Sequence, residues 1–156
     1  MARWLIYFSF LAILDAREVL DISADRIVSN QIKGETIIEG NVVIQKETDI
    51  LYANKVIVRM DRDKKPSQYE AIGNVKFKIA TQNARVMQGR ANTIIYNAFK
   101  EEYRLIGGAQ VQEEGKSNMI KGRIIVLNRK DGTASVVGDK KKPAKITFSL
   151  DEKDAK

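Results

Sequence analysis

Three of the short stretches in which acidic residues lie close together are the first candidates for chemistry. Glu101–Glu102 and Glu113–Glu114 are adjacent pairs, whereas Asp61 and Asp63 lie two apart in a polar segment with a proline. Neighbouring residues of a strand point to opposite faces, so neither glutamate pair can act as an acid/base couple on one substrate. The aspartate segment lacks the glycine and the closing glutamate of a calcium-binding hand. We interpret it as a solvated turn.

Other catalytic side chains are scarce. The chain has no histidine and no cysteine, which excludes thiolate chemistry, zinc–thiolate sites and the usual general base near neutral pH. Gly115-Lys116-Ser117 is similar to the end of a phosphate-binding loop, but Gln110 stands where the first glycine of that loop is required. The sequence therefore predicts a protein that is not an enzyme, with no metal site and no cofactor.

The chain is basic, with 27 Lys and Arg against 20 Asp and Glu and a net charge of +7. The basic residues are scattered, and the one dense run, Lys140–Lys142, precedes a proline. We interpret this run as a solvated turn; the alternative is attraction to a phosphate-bearing partner. Binders of single-stranded nucleic acid combine a basic groove with a series of exposed aromatic residues. No such series alternates with basic residues here, so we predict no nucleic-acid partner.

A repeat along the chain indicates the elements that hold these residues. Glycine closes one short apolar stretch and opens another at positions 40, 73, 107 and 138, which lie 33, 34 and 31 residues apart. Self-similarity at this period is typical of one supersecondary unit stacked on copies of itself. Each glycine is preceded by a second recurring motif, the opening, which reads Ala24-Asp25-Arg26-Ile27, Ala53-Asn54-Lys55-Val56, Ala91-Asn92-Thr93-Ile94 and Gly122-Arg123-Ile124.

Inside the repeat, apolar residues alternate with charged ones, as in a strand with one buried face. The segment from Val75 to Ile79, for example, is Val-Lys-Phe-Lys-Ile. No helical periodicity follows residue 20, and Asn128 to Gly132 ends in the Asp-Gly pair of a hairpin. The recurrent glycine predicts a bulge or a tight bend. We predict an all-β protein of a dozen or more short strands, arranged as a curved sandwich or a rolled pair of sheets.

The N-terminus carries Arg3 followed by eleven apolar or small residues, 4–14. This stretch is too short to cross a bilayer, which takes about 20 residues, but it suits a secretory signal peptide. We predict export with cleavage near Ala16; an uncleaved anchor and a buried N-terminal segment are the alternatives. Residues 1–16 would be the signal peptide, residues 17–150 one β domain, and residues 151–156 a charged tail.

The openings and the glycine passages together resemble the repeated pattern of the OstA-like family, the LptA-type periplasmic proteins of lipopolysaccharide transport. The resemblance covers roughly residues 20 to 150. In the later repeats, Gly108 and Asp139 replace the asparagine and Gly122 replaces the alanine–acid pair. The passages that match best are the first two openings, quoted above, with Glu39-Gly40-Asn41-Val42 and Ile72-Gly73-Asn74-Val75.

The resemblance implies an OstA-like β-jellyroll over residues 17–150, with a V-shaped section, two open ends and about four repeats. It implies a non-enzymatic protein of the Gram-negative periplasm that binds lipopolysaccharide, holds the lipid A tails in its apolar interior, and carries the lipid from the inner to the outer membrane. It also implies head-to-tail self-association and docking to an LptC-like inner-membrane jellyroll and an LptD-like outer-membrane N-terminal domain. The alternatives are an LptC-like membrane-anchored jellyroll, or a secreted β-scaffold that mediates only protein–protein contacts; a short signal and no barrel favour the bridge.

Inward-facing apolar residues would line a trough in which several hydrocarbon tails could lie. The ordinary alternative is that the same residues only fill a sandwich core. Lipid phosphates would stay outside, near basic residues such as Lys55, Lys76 or Lys78. The predicted lining residues are Val42, Ile44, Val56, Val58, Val75, Phe77, Ile79, Ile94, Tyr96, Leu105, Ile124 and Val126.

The first and last strands are expected to be the edges of the sheet, and an exposed edge can pair with another chain. The last strand, Lys145 to Leu150, alternates apolar and polar residues, while its lysine and the charged tail could instead keep it monomeric. The predicted edge-strand interface consists of Ile22, Ala24, Ile146, Phe148 and Leu150.

Overall fold

A computed structural model of the chain describes residues 20–80, 85–128 and 130–150. Within these ranges the chain forms ten β-strands, and none of the described residues forms a helix that could span a lipid bilayer. The predicted signal peptide and the predicted charged tail lie outside the described residues. The strands are β1 (Leu20–Ser23), β2 (Arg26–Asn30), β3 (Glu35–Lys46), β4 (Asp49–Met60), β5 (Pro66–Ala80), β6 (Val86–Asn97), β7 (Glu102–Glu113), β8 (Met119–Asn128), β9 (Thr133–Val137) and β10 (Lys145–Thr147).

The strands form one antiparallel sheet that is not closed into a barrel. The long strands β3 to β8 pair in chain order, each with the next, as successive hairpins. At one edge β1 and β2 both pair with β3, and at the other edge β9 and β10 both pair with β8. No pairing joins the two edges within the described residues. The all-β, open architecture expected from the sequence is confirmed.

The long strands bend where the repeated motifs lie. The register of β3 with β4 shifts between Glu39 and Val42, and equivalent shifts occur along the rest of the sheet up to β8. At each shift the glycine-bearing strand has one residue more than its neighbour, which is a β-bulge. The bends predicted at Gly40, Gly73 and Gly107 are therefore confirmed. The strands are longer and fewer than the dozen expected, because each continues through its bend instead of ending there.

These three bends, which we call the corners, share one backbone geometry. The glycine and the residue after it both have positive φ, namely 85° and 48° at Gly40-Asn41, 85° and 47° at Gly73-Asn74, and 84° and 56° at Gly107-Gly108. Glycine adopts this left-handed backbone without the steric penalty of a Cβ atom. A Cβ atom at Gly40, Gly73 or Gly107 would also overlap with a side chain of the adjacent strand or segment. The side chains that such an atom would meet are the second residues of the openings, Asp25, Asn54 and Asn92.

The fourth repeat departs from this geometry. Gly138 packs closely against the backbone of residues 142–144, so the chain turns directly from β9 towards β10. The Asp139 carboxylate accepts hydrogen bonds from the backbone N–H groups of Lys142, at 2.7 Å, and Lys141, at 2.9 Å. These two bonds lower the pKa of the Asp139 carboxyl. The basic run therefore lies in an exposed, hydrogen-bonded turn.

The corners divide the sheet into two walls, and each of β3 to β8 contributes to both. Buried residues of the two walls form one apolar cluster, so the walls face each other across a single core. Wall 1 consists of residues 26–30, 35–39, 55–60, 66–72, 93–97, 102–106, 124–128 and 133–137. Wall 2 consists of residues 20–23, 42–46, 49–53, 75–80, 86–91, 109–113, 119–122 and 145–147.

Candidate functional site

Apolar side chains fill the space between the walls in rows that cross the strands. Directly paired residues share a face of a sheet, so the register shows which residues belong to one row. Because the rows run from one edge of the sheet towards the other, the interior is a continuous apolar track. A wall 1 row contains Ile38, Val56, Ala71, Ile94, Leu105 and Ile125. A wall 2 row contains Ile22, Ile44, Leu51, Phe77, Gly89, Val111, Ile120 and Ile146.

Most of the predicted lining residues lie on this inner face. Phe77 and Tyr96 are partly buried and pack against the core, and Ile79 is paired with Met87, which also packs against it. Their placement follows from simple alternation along each half-strand. The predicted lining residues that belong to the buried cluster itself are Val42, Ile44, Val56, Val58, Val75, Ile94 and Leu105.

Ile124 and Val126 are placed differently from the prediction. Ile125, between them, pairs with Leu105 and is fully buried in the core, so its two neighbours lie on the outer face. The fourth position of the opening faces inward, as Ile94 does, and in the last repeat that position belongs to Ile125. The prediction assigned it one residue too early, because it took Gly122 alone in place of the alanine–acid pair, whereas Gly122 and Arg123 occupy those two positions.

Small residues next to the corners were not predicted as part of the interior. Ala53 and Ala91 are the first residues of their openings, and Ala109 follows the third corner; all three are buried. Alanine allows the two walls to approach closely where they meet. The recurrence of alanine at the start of the opening was the available signal. The other buried residues that were missed are Ile38, Leu51, Tyr69, Ala71, Val111 and Ile125.

Burial falls from the centre of the sheet towards both edges. Ile44 and Val56 in the middle have no exposed surface, whereas Ile27 on β2 is 49% exposed and Ile146 on β10 is 58% exposed. The predicted interface residues differ between the two edges. Ile22 and Ala24 are partly buried against the core, while Phe148 and Leu150, beyond β10, are 64% and 85% exposed.

Three tyrosines form a row on wall 1. The ring centroids of Tyr69 and Tyr96 are 5.9 Å apart, and those of Tyr96 and Tyr103 are 4.5 Å apart. Burial raises the pKa of the Tyr69 hydroxyl well above its ordinary value, and the neighbouring tyrosines add to the effect. Tyr69 therefore stays neutral at physiological pH.

Two charged residues are buried at the loop end of wall 2. Lys46 and Glu113 are 8% and 6% exposed. A Glu113 carboxylate oxygen accepts a hydrogen bond from the Asn118 amide at 3.2 Å, and the other lies 3.7 Å from Nε of Arg85. The apolar interior thus ends in polar groups on this side.

A cavity of about 960 Å³ lies at the loop end of wall 1, beside the loops that join β2 to β3 and β4 to β5. Asp61, one of the two aspartates in the segment interpreted as a solvated turn, lines this cavity. The Asp61 carboxylate accepts the backbone N–H groups of Asp63 and Lys65, at 2.8 and 3.0 Å. Its role is therefore that of a turn residue. The part of the chain that the structure describes contains no group of three His, Cys, Asp or Glu side chains able to hold a metal ion.

An open antiparallel sheet, bent at glycine corners over one apolar interior, defines a jellyroll of the OstA-like type. Residues 21–133 match the family model of the LptA/(LptD N-terminal domain) LPS transport protein, and the chain belongs to this family. The family is one of transport proteins and not of enzymes. No curated protein sequence matches the chain.

A solved structure shows the same fold. It is LptH, the LptA-homologous periplasmic component of the conserved lipopolysaccharide transport device from Pseudomonas aeruginosa. The similarity has a TM-score of 0.71 at 18% sequence identity and covers 86% of this chain and 98% of LptH.

Proposed function

We propose that this chain is a periplasmic bridge protein that carries lipopolysaccharide from the inner to the outer membrane. The observation that carries the proposal is the apolar interior, which runs across the sheet in a member of this transport family and becomes exposed towards both edges. The periplasmic location is supported by the likeness to LptH and by the signal-like N-terminal sequence.

In this proposal the acyl tails of the lipid occupy the space between the walls. Each sequestered methylene group is worth about 0.8 kcal/mol, so burial of several tails strongly favours binding. Side chains such as Val56 and Val58 are fully buried in the core, so tails enter only when the walls separate. Because successive strands contribute similar apolar residues to each row, the interior provides successive sites of comparable affinity for the tails. Direction must come from an energy source outside this chain.

The open edges provide the contacts for assembly. We propose that the edge formed by β9 and β10 joins the β1 and β2 edge of a second copy, or the jellyroll of an LptC-like or LptD-like partner, by strand addition. Ile146, Phe148 and Leu150 supply the exposed apolar surface. Removal of residues 144–156 should lower self-association in light scattering while the circular dichroism of the domain is retained; an unchanged oligomer size would count against the contact.

Photo-crosslinking tests where the lipid lies. A photoreactive residue at Phe77 faces the interior, whereas one at Lys76 lies on the opposite face of the same strand. In cells that make lipopolysaccharide, we expect adducts at position 77 and at Val58, and none at position 76. Equal labelling at positions 76 and 77, or no adduct at either interior position, would refute lipid transport through the interior.

A scaffold that only joins other proteins is the second candidate, and the close packing of the interior favours it. The two functions differ in what the purified protein carries. Lipid extracted from protein made in a Gram-negative host should contain lipopolysaccharide or lipid A if the protein is a carrier. Protein free of lipid, with intact binding to a partner jellyroll, would support the scaffold.

A further inference from the structure

The cavity at the loop end of wall 1 lies where the apolar interior meets solvent. Its lining includes Ser29, Thr36 and Met60. Thr36 is paired with both Ser29 and the buried Val58, and Met60 packs against the core, so these residues belong to the inner face. The volume of about 960 Å³ is at the upper end of the range of small-molecule sites.

The cations that line this cavity form no ion pair with any residue that the structure describes. Lys33, Arg62 and Lys64 all contribute to the lining. Among the described residues, none of their side chains takes part in a salt bridge or a hydrogen bond. Three unpaired positive charges around one concave space form a local surplus that favours an anion.

The carboxylates that line the cavity are already engaged. Glu35 lies 3.7 Å from Nε of Arg59 through one of its oxygens, and Asp61 accepts the two backbone hydrogen bonds described above. Asp63 is exposed in the same loop, but it is not part of the lining. The lining therefore carries three cations against two carboxylates, a surplus of one positive charge, and neither carboxylate forms an ion pair with a cation of the lining.

Hydroxyl groups and an apolar side chain complete the lining. The oxygens of Ser29 and Thr36 are 2.9 Å apart and share one hydrogen bond, which leaves acceptor and donor capacity for a ligand. Ile32 at the tip of the β2–β3 loop is 98% exposed. Cations, hydroxyls and an exposed apolar side chain together suit a phosphorylated sugar better than a bare ion.

We propose that this cavity binds the phosphate-bearing sugar headgroup of the lipid whose tails occupy the interior. The inference rests on the proposed function, since it places the polar end of the ligand next to Met60, at the loop end of wall 1 where the apolar interior meets solvent. It is an alternative to the expectation that the phosphates stay outside, near Lys55, Lys76 or Lys78. Lys76 and Lys78 alternate with the inner residues of β5 and lie on the outer face, and Lys78 is paired with Glu114 at 3.1 Å.

The test compares two variants of equal charge. The cavity variant carries Lys33→Gln, Arg62→Gln and Lys64→Gln. The control variant carries Lys100→Gln, Lys130→Gln and Lys140→Gln, three exposed lysines on other loops. Binding of bisphosphorylated lipid A and of chemically dephosphorylated lipid A is measured by displacement of a fluorescent lipid from the full domain.

The natural protein and the control variant should bind the bisphosphorylated lipid about tenfold more tightly than the dephosphorylated one, because exposed ion pairs each contribute a few-fold in affinity. The cavity variant should lose this preference and keep its affinity for dephosphorylated lipid. An undiminished preference in the cavity variant, with both lipids still bound, would overturn the headgroup site and leave lipid carriage intact. Failure of every variant to bind either lipid would overturn both proposals.

Competition with glucose 1-phosphate distinguishes the two sources of the phosphate. If glucose 1-phosphate does not displace the bound bisphosphorylated lipid A, and only lipid-borne phosphate does, the cavity is assigned to the headgroup. Displacement of bisphosphorylated lipid A by millimolar glucose 1-phosphate from the natural protein, but not from the cavity variant, assigns the cavity to free sugar phosphates and overturns the headgroup assignment.

Discussion

Substitution of Gly107 by alanine should destabilise the protein far more than the same change at the next residue. Both glycines belong to the third corner and both have positive φ, 84° at Gly107 and 56° at Gly108. A Cβ atom at Gly107 would lie 2.6 Å from the Asn92 side-chain nitrogen and 3.1 Å from its Cβ, whereas at Gly108 it would meet nothing within 4 Å. Comparison of the two alanine variants therefore separates the cost of backbone strain from the cost of steric overlap at one corner.

The two contributions have different magnitudes. A left-handed backbone costs an L-residue about 1–2 kcal/mol, which applies to both variants. Overpacking against Asn92 adds about 1–3 kcal/mol at Gly107 alone. We expect a loss of about 2–5 kcal/mol for Gly107→Ala and about 1–2 kcal/mol for Gly108→Ala. Gly108→Asn should cost less than about 1 kcal/mol, because asparagine tolerates this conformation and occupies the equivalent position of the other two corners.

Urea unfolding followed by circular dichroism measures these differences. The double variant Gly107→Ala/Asn92→Ala should lose less stability than the sum of the two single variants, because the overlap with the amide is gone. Equal unfolding free energies for Gly107→Ala and Gly108→Ala would refute the steric account of the corner. A loss below about 0.5 kcal/mol for Gly107→Ala would refute the strain as well.

Three further predictions concern the interior. In urea unfolding, Ile44→Ala should cost about 2–5 kcal/mol because it leaves a cavity in the core, whereas Ile32→Ala at an exposed loop tip should cost less than about 0.5 kcal/mol; similar losses would contradict the burial assigned to Ile44. Gly89→Ala should cost about 1–3 kcal/mol, because its Cβ would lie 2.5 Å from the Phe77 ring and 2.7 Å from the Gln110 carbonyl oxygen. A Gly89→Ala/Phe77→Leu double variant should lose less stability than the sum of the two single variants, since only the ring contact is relieved; no loss for Gly89→Ala would exclude both contacts. Burial raises the pKa of Tyr69 above its ordinary 10.0, so the folded state holds this proton more tightly than the unfolded state does. The free energy of unfolding is therefore unaffected by this group below about pH 10 and falls as the pH rises above it. Tyr69→Phe should therefore lose less stability than the natural protein between about pH 9 and pH 11, and identical pH profiles would contradict the assignment.

The repeat and the strand faces could be predicted from the sequence because both depend on local chemistry. Glycine at a bend and alternation along a half-strand are properties of a few neighbouring residues, and they placed residues such as Val75 and Phe77 correctly. The same reasoning failed at Ile124 and Val126. The side of the sheet that a residue faces beyond a corner depends on how many residues the bend contains, and Gly122 obscured that count.

Features that depend on register could not be predicted. The long strands belong to both walls only because the paired strands bend at matching positions, as Gly73 does beside Asn54. The cavity was missed for a related reason. Lys33 and Arg62 lie in different loops without any shared motif, and they come together only because β3 pairs with β4.

The corners also determine how the molecule could change in size. Strands in a sheet lie about 4.8 Å apart, so the eight strand positions of each wall span about 34 Å. Because a corner recurs with every second strand, insertion of one complete two-strand unit would lengthen the domain by about 10 Å and leave its cross-section unaltered. A single residue inserted within a corner would instead turn the side chains in the rest of that strand to the wrong face. Evolutionary variation in the length of such domains is therefore expected in whole units of this size.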